Sequence, residues 1–233
     1  MRVLVTRPIE DAIETASQLA SRSHQSVIAP LLEIRFFEGA PLALDGVQAI
    51  LATSSNGVRA FSQRSARRDL PLFAVGAQTA SVARAQGFCN VKSADGDARA
   101  LCKAIPGWAD PEGGALMHLA GSGRPGKLVS DLAARGYRVQ TCALYHTVPV
   151  QRLPDTAREA LLAGVLDAVL FFSPQTAQTF VDRIIDEGLR SCCVALIACC
   201  ISEAATTSLQ SLRFRDIRTS SHPDLTRLLL LLD

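Results

Sequence analysis

Six short stretches of this chain share a composition: a hydroxyl, a glycine or an amide directly after an apolar run. They are Thr6-Arg7, Thr53-Ser54-Ser55-Asn56, Gly76-Ala77-Gln78-Thr79, Gly121 to Arg124, Ser173-Pro174-Gln175 and Ser202. Such groups, set where helices begin, hold carboxylates or phosphates through neutral donors and the positive end of the helix dipole. The stretches contain no Cys/His pair, no carboxylate pair and no nucleophile elbow. Ser and Asn after a strand are also the usual helix caps, and Ser173-Pro174 is a cap followed by proline at the first helical position. Each residue alone fits capping as well as it fits ligand binding. Their recurrence at several strand ends is what argues for a ligand.

Gly121-Ser122-Gly123-Arg124-Pro125-Gly126 fits G-x-G-x-x-G between a strand and a helix. A dinucleotide site also needs an acidic residue about 20 positions further on, at the end of the next strand. Thr141 to His146 has none, and Pro125 removes an N–H from the loop, so nucleotide binding is disfavoured. Arg124 and Lys127 remain candidates for an anionic group. Tyr145 is one of only two tyrosines and lies in an extended segment, Ala143-Leu144-Tyr145-His146-Thr147. A half-buried strand tyrosine that only packs is the plainer account of it. His24, His118, His146 and His222 are dispersed and lack evident partners in the sequence. The seven cysteines are scattered or directly adjacent, as in Cys192-Cys193 and Cys199-Cys200, without zinc-ligand spacing. They read as buried, reduced thiols of a cytoplasmic protein.

The elements that must position these residues repeat. Gln48–Arg64 reads QAILATSSNGVRAFSQR and, 119 residues on, Asp167–Arg183 reads DAVLFFSPQTAQTFVDR. Both pass from apolar strand through a hydroxyl cluster to an amphipathic helix. The flanks repeat as well. Leu72–Val75 corresponds to a strand expected over Val194–Ile201, each followed by a helix, the second over Glu203–Leu212. Asn90–Lys92 corresponds to Asp216–Thr219, and Ala98–Ile105 to Leu225–Leu232. Unbroken apolar strands alternating with helices predict parallel sheets buried on both faces.

The predicted fold is therefore α/β, with two similar doubly wound parallel-sheet domains joined by a two-stranded β-ladder. One domain is discontinuous, 1–34 plus 150–233; the other is 40–143; 35–39 and 144–149 are the connector. At 233 residues and 48% hydrophobic content the chain can fill both cores, and a net charge of +2 gives no basis for a nucleic-acid partner. Met1-Arg2 leads straight into a strand rather than a signal sequence, and no apolar run approaches a membrane span, so no membrane partner is expected. Monomer is the default.

Read together, these motifs resemble the uroporphyrinogen-III synthase family. The features are VLVTRP at Val3–Pro8, PLLEI at Pro30–Ile34, ATSSNGV at Ala52–Val58 and AVGAQTA at Ala74–Ala80. The Gly121 loop, LYHTV at Leu144–Val148, FFSPQTA at Phe171–Ala177 and the Ser221-His222-Pro223 loop follow in order. Ser202-Glu203-Ala204-Ala205 departs from the family's Gly-Pro-x-Thr type turn. The resemblance implies a site between two domains, no metal or organic cofactor, and a linear tetrapyrrole substrate. Hydroxymethylbilane would be cyclised to uroporphyrinogen III with loss of water and inversion of ring D. By position Tyr145 would be the proton donor. Arg7, Thr53, Ser54, Ser55, Asn56, Gly76, Thr79, Gly121, Arg124, Ser173, Gln175 and Ser202 would meet the substrate. The rival from another class is a non-catalytic two-domain binder of a polyanionic small molecule.

Overall fold

Val3, Leu4 and Val5 are each fully buried, and successive side chains of a strand point to opposite faces, so this run needs apolar cover on both sides. The computed structural model, which describes residues 1–123 and 126–233, supplies that cover with helices. In chain order the elements begin with β1 (Arg2–Val5), α1 (Ile9–Ser21), β2 (Gln25–Ile28) and β3 (Leu32–Phe36). They continue with β4 (Val47–Ala52), α2 (Ser55–Arg64), β5 (Leu72–Ala74), α3 (Ala77–Ala85), β6 (Val91–Ser93) and α4 (Ala98–Ala104). After these come β7 (Ala115–Gly121), α5 (Lys127–Ala133), β8 (Val139–Pro149), α6 (Asp155–Leu162), β9 (Ala168–Phe171) and α7 (Pro174–Asp186). The last are β10 (Ile197–Cys200), α8 (Glu203–Thr207), β11 (Asp216–Thr219) and α9 (Leu225–Leu229). The chain divides into two units, Met1–Glu33 with Val148–Asp233, and Ile34–Thr147.

The first unit is built on a five-stranded sheet of order β11-β10-β9-β1-β2, parallel throughout. Its period-two pattern is regular. Val3, Val5, Ala168, Leu170, Ile197 and Cys199 join the core capped by Ala12 and Leu19 of α1 and by Leu228 and Leu229 of α9. Leu4, Val169, Phe171, Ala198 and Cys200 join the opposite core, under α6, α7 and Ala205 of α8. Burial pushes the thiols of Cys193 and Cys199 up to about 12, and all seven cysteines are free thiols. In this unit cysteine acts as a small apolar residue.

The second unit carries a sheet of order β3-β8-β7-β4-β5-β6. Ile50, Ala52, Leu72, Ala74, Met117 and Leu119 face α2 and α3, while Ala49, Leu51, Phe73 and Leu116 face α4 and α5. Val47 belongs to the first set although its parity matches Ala49, because the pairing of β4 with β7 slips between Val47 and Ala49. A one-residue bulge moves every later side chain to the other face. β3 and β8, the segments expected as a ladder, are neighbours, and the Phe37 N–H donates to the Leu144 carbonyl at 2.8 Å. β8 extends further than a connector needs, running parallel to β7.

Two expected elements differ. The strand expected over Val194–Ile201 is confined to Ile197–Cys200, after a 3-10 turn at Arg190–Cys193 that Val194 closes by donating to the Ser191 carbonyl. The helix expected to reach Leu212 stops at Thr207. Thr206, Thr207 and Ser208 each bond back to a carbonyl four residues earlier, and such hydroxyls compete with continued helix. Leu209 and Leu212 stay buried without it.

Gly57 sets the approach of α2 to the sheet. A β-carbon there would lie 3.0 Å from Leu119 Cβ and 3.2 Å from its carbonyl oxygen, on a central strand that cannot yield. Overpacking of this kind costs about 1–3 kcal/mol, against a helix-propensity gain of about 1 kcal/mol. Gly57→Ala is expected to lower the melting temperature by a few degrees; an unchanged or higher value would show that α2 is free to shift.

Candidate functional site

In an open parallel sheet the polar openings lie beyond the carboxyl ends of the strands. In the second unit β8, β7, β4 and β5 are consecutive, so Tyr145, Gly121, Thr53 and Gly76 form one row. Register brings Tyr145 beside Gly121, and the pairing is tight. A β-carbon at Gly121 would stand 3.1 and 3.2 Å from two ring carbons of Tyr145 and 3.5 Å from its hydroxyl. The tyrosine therefore lies flat on a strand end that only glycine leaves bare. Its ring is half-buried and its hydroxyl makes no hydrogen bond among the described residues.

Next in the row, the Thr53 hydroxyl lies 3.2 Å from Nε2 of His118. His118 sits in β7, three residues before its end, and is only 6% exposed. Burial holds its imidazole below the usual histidine range, favouring the neutral ring, and Nδ1 has no hydrogen-bond partner among the described residues. Ser54 caps α2 by accepting from the Asn56 N–H at 3.2 Å. Arg59 donates to the side-chain amide oxygen Oδ1 of Asn56 at 2.9 Å. Ser55 and Thr79 are buried, yet neither hydroxyl bonds to another described residue. Gly76 opens α3 in extended backbone, and no side chain caps that helix. Arg124 lies outside the described residues.

The first unit has an equivalent row, from β1 through β9 to β10. Ser173 caps α7 by accepting from the Thr176 N–H at 3.1 Å, and the two hydroxyls are 2.8 Å apart. Ser202 occupies the cap position of α8 without forming a cap hydrogen bond, and Gln175 is exposed. Capping uses an oxygen lone pair and leaves the O–H available, so cap and ligand contact are compatible in one serine.

Arg7 is turned inward. Its guanidinium is 3.2 Å from the Asp11 carboxylate, donates to the Thr15 hydroxyl at 3.1 Å and lies 4.3 Å from the centre of the Phe172 ring. Both charged side chains are buried. The Thr6 hydroxyl donates to the Leu170 carbonyl at 2.6 Å, tying the end of β1 to β9. These contacts fix the residues directly before Ser173. Sequence reasoning named Arg7 but missed Asp11 and Phe172, and it gave His118 no partner. A single histidine in the apolar strand Ala115–Gly121 was a usable signal, since a buried ring nitrogen needs a bond. A cavity of about 750 Å³ lined by Trp108, Arg135, Tyr137 and neighbours lies at the amino ends of β7 and β8 and shares no residue with either row.

Comparison with known proteins decides the family. The family model described as Uroporphyrinogen-III synthase HemD matches residues 13–229. The chain belongs to the uroporphyrinogen-III synthase family. The crystal structure of uroporphyrinogen-III synthetase from Helicobacter pylori 26695 is 15% identical, with a TM-score of 0.64, over 100% of this chain and 98% of that one. A mutant uroporphyrinogen III synthase from Thermus thermophilus is 18% identical, with a TM-score of 0.54, over 100% of this chain and 97% of that one. At such identities these two carry the synthase fold alone. No curated protein sequence matches. Among the described residues no helix is long and apolar enough to cross a membrane.

The buried histidine makes stability depend on pH. Its folded value is depressed by burial, so below about pH 6.5 the unfolded chain takes up a proton that the folded one resists. Stability then falls with pH by at most about 1.4 kcal/mol per unit, until the folded value is reached. Thermal melts at pH 7.5 and 5.5 should show a smaller acid loss in His118→Leu than in the parent. Equal losses would mean that His118 does not titrate as its burial requires.

Proposed function

We infer that this chain is a uroporphyrinogen-III synthase, a lyase-type enzyme of tetrapyrrole synthesis. The observation that carries the reading is the family match over residues 13–229. The substrate is a tetrapyrrole, and we propose that it is linear hydroxymethylbilane, closed to uroporphyrinogen III with loss of water and inversion of ring D. The non-catalytic binding alternative has no observation of its own.

The chemistry suits a site made of neutral donors. The substrate's eight carboxylates can be held by hydroxyls and helix N-termini without a large protein charge. Thr53, Ser55, Thr79 and Ser202 are the proposed direct contacts, with Ser54, Asn56, Ser173 and Gln175 beside them and the backbone of Gly76 and Gly121 between. Arg124 is proposed as the cation of the Gly121 loop. Arg7 contributes by holding Phe172 and, through it, Ser173. The finer proposals are a monomer working in the cytoplasm, which seven free thiols support.

The electron-rich pyrrole expels its hydroxyl once that oxygen is protonated, leaving as water and generating an azafulvene. We propose that the Tyr145 phenol, which has no hydrogen-bond partner among the described residues, gives that hydrogen bond and proton. One positioned acid is worth about 10²–10⁴-fold. The greater task is orientation: the chain must hold ring D so that its substituted carbon attacks the azafulvene.

The deciding assay supplies enzymatically generated hydroxymethylbilane and separates the type I and type III isomers by chromatography. Type III product above the spontaneous type I background is expected; type I alone, at the spontaneous rate, would overturn the reading. Tyr145→Phe should lower turnover about a hundredfold or more with the melting temperature nearly unchanged. Undiminished turnover would return Tyr145 to a packing role. Gly121→Ala places a methyl against the Tyr145 ring and should lower kcat in the same direction, without altering the hydroxyl itself. Full kcat in that variant would show that the ring's seat on Gly121 is unimportant.

A further inference from the structure

We propose that His118 is a positioning residue for the synthase reaction: through Nε2–H it occupies the Thr53 oxygen and commits the Thr53 hydroxyl proton to a substrate carboxylate. This rests on the synthase reading and adds a residue that does not itself line the row of strand ends. One contact and its surroundings carry the proposal. Thr53 Oγ1 and His118 Nε2 are 3.2 Å apart, and Nδ1 is buried with no partner among the described residues.

Strand register explains how the two meet. His118 pairs with Leu51, and Thr53, one residue beyond the end of β4, follows Leu51 by two residues on the same side. The contact is therefore the diagonal one across adjacent strands. Ala49, Leu51, Phe73 and Leu116 from the sheet and Leu128 and Leu132 from α5 line that face, and Thr141 of β8 is the register partner of His118 on its other side. Among the described residues none, Thr141 included, bonds to Nδ1. His118 is thus a neutral ring held by burial, with one nitrogen engaged.

Two tautomers are conceivable. With the proton on Nδ1, a buried N–H would have no acceptor among the described residues, which native proteins avoid more strictly than an unused acceptor. Nε2 would then accept from Thr53 and use up the only proton the hydroxyl has. With the proton on Nε2, the ring donates to Thr53 Oγ1, and the bare Nδ1 is the lesser penalty. Nε2–H is also the more stable tautomer of free neutral histidine. In that state Thr53, only half-buried at the strand end, must send its O–H elsewhere. The eight carboxylates of the proposed substrate accept only. A hydroxyl free to rotate would lose orientational freedom on binding; one whose oxygen is already fixed loses less.

The experiment has two arms. Nitrogen-15 NMR of the full-length protein at neutral pH reads the tautomer without any substrate. The Nε2–H form is expected; an Nδ1–H form overturns the proposal. Steady-state kinetics with hydroxymethylbilane, scoring type III product, then compares Thr53→Val, His118→Leu, His118→Gln and the double variant Thr53→Val/His118→Leu. Thr53→Val and His118→Leu should each raise KM about tenfold with kcat little changed, the effect of losing one hydrogen bond to a charged group. The double variant should be no worse than either single one, because the two act as a unit. His118→Gln, whose amide N–H can reach the same oxygen, should recover most of the affinity and guards against a fold defect in the leucine variant. Additive losses, or unaffected KM in Thr53→Val, would overturn it. If the parent makes only type I product the synthase reading fails instead, and the tautomer still decides whether His118 donates to Thr53.

Discussion

A parallel strand covered by helices on both faces has nowhere to place a polar side chain except beyond its last residue. That constraint organises both units. β1, β9 and β10 in the first, and β4, β5 and β7 in the second, contribute to cores on either side with scarcely an interruption. Desolvating a hydroxyl or a charge within such a strand without a partner costs several kcal/mol, on the order of 2–7. The polar residues therefore collect at the carboxyl ends, where helix N-termini already present unsatisfied N–H groups. The location of the candidate row is a consequence of how the strands are buried.

The exceptions are informative for the same reason. Arg7 and Asp11 are charged and buried, and they survive because each neutralises the other within an apolar wall that includes Phe172. Such pairs seldom add much net stability, but they hold neighbours in one arrangement. Here the neighbours are the residues leading to Ser173. His118 is the one titratable side chain within the run of β7 and is retained through its contact with Thr53. In both cases a buried polar residue is engaged close to the carboxyl end of a strand, Arg7 with Asp11 and Thr15 and His118 with Thr53.

Uroporphyrinogen-III synthase chemistry asks little of the protein in bond-making and much in holding a flexible polyanion. A row of neutral donors suits that task, since each hydroxyl adds a modest, directional contact and none leaves a strong buried charge unpaired when the ligand departs. Tyr145 packs against Gly121, its phenol makes no hydrogen bond among the described residues, and the proposed role gives it the proton for a departing hydroxyl.

Much of this was legible in the residues. Unbroken apolar runs, hydroxyls at the ensuing turns and the repeat of Gln48–Arg64 at Asp167–Arg183 identified parallel sheets and the ends that carry polar groups. These features are local: burial pattern and capping chemistry are written within ten or so consecutive residues. What needed the tertiary structure is whatever depends on which strand lies beside which, and in what register. The diagonal contact of Thr53 with His118 joins residues 65 apart through the pairing of β4 with β7. The seat of Tyr145 on Gly121 needs the pairing of β7 with β8, and the length of α8 turned on hydroxyls bonding back to its own carbonyls. Sequence determines which side chains must be buried and where helices can start. Neighbouring strands decide which polar groups touch, because a hydrogen bond is made within about 3 Å and the pattern along one chain does not specify distance across a sheet.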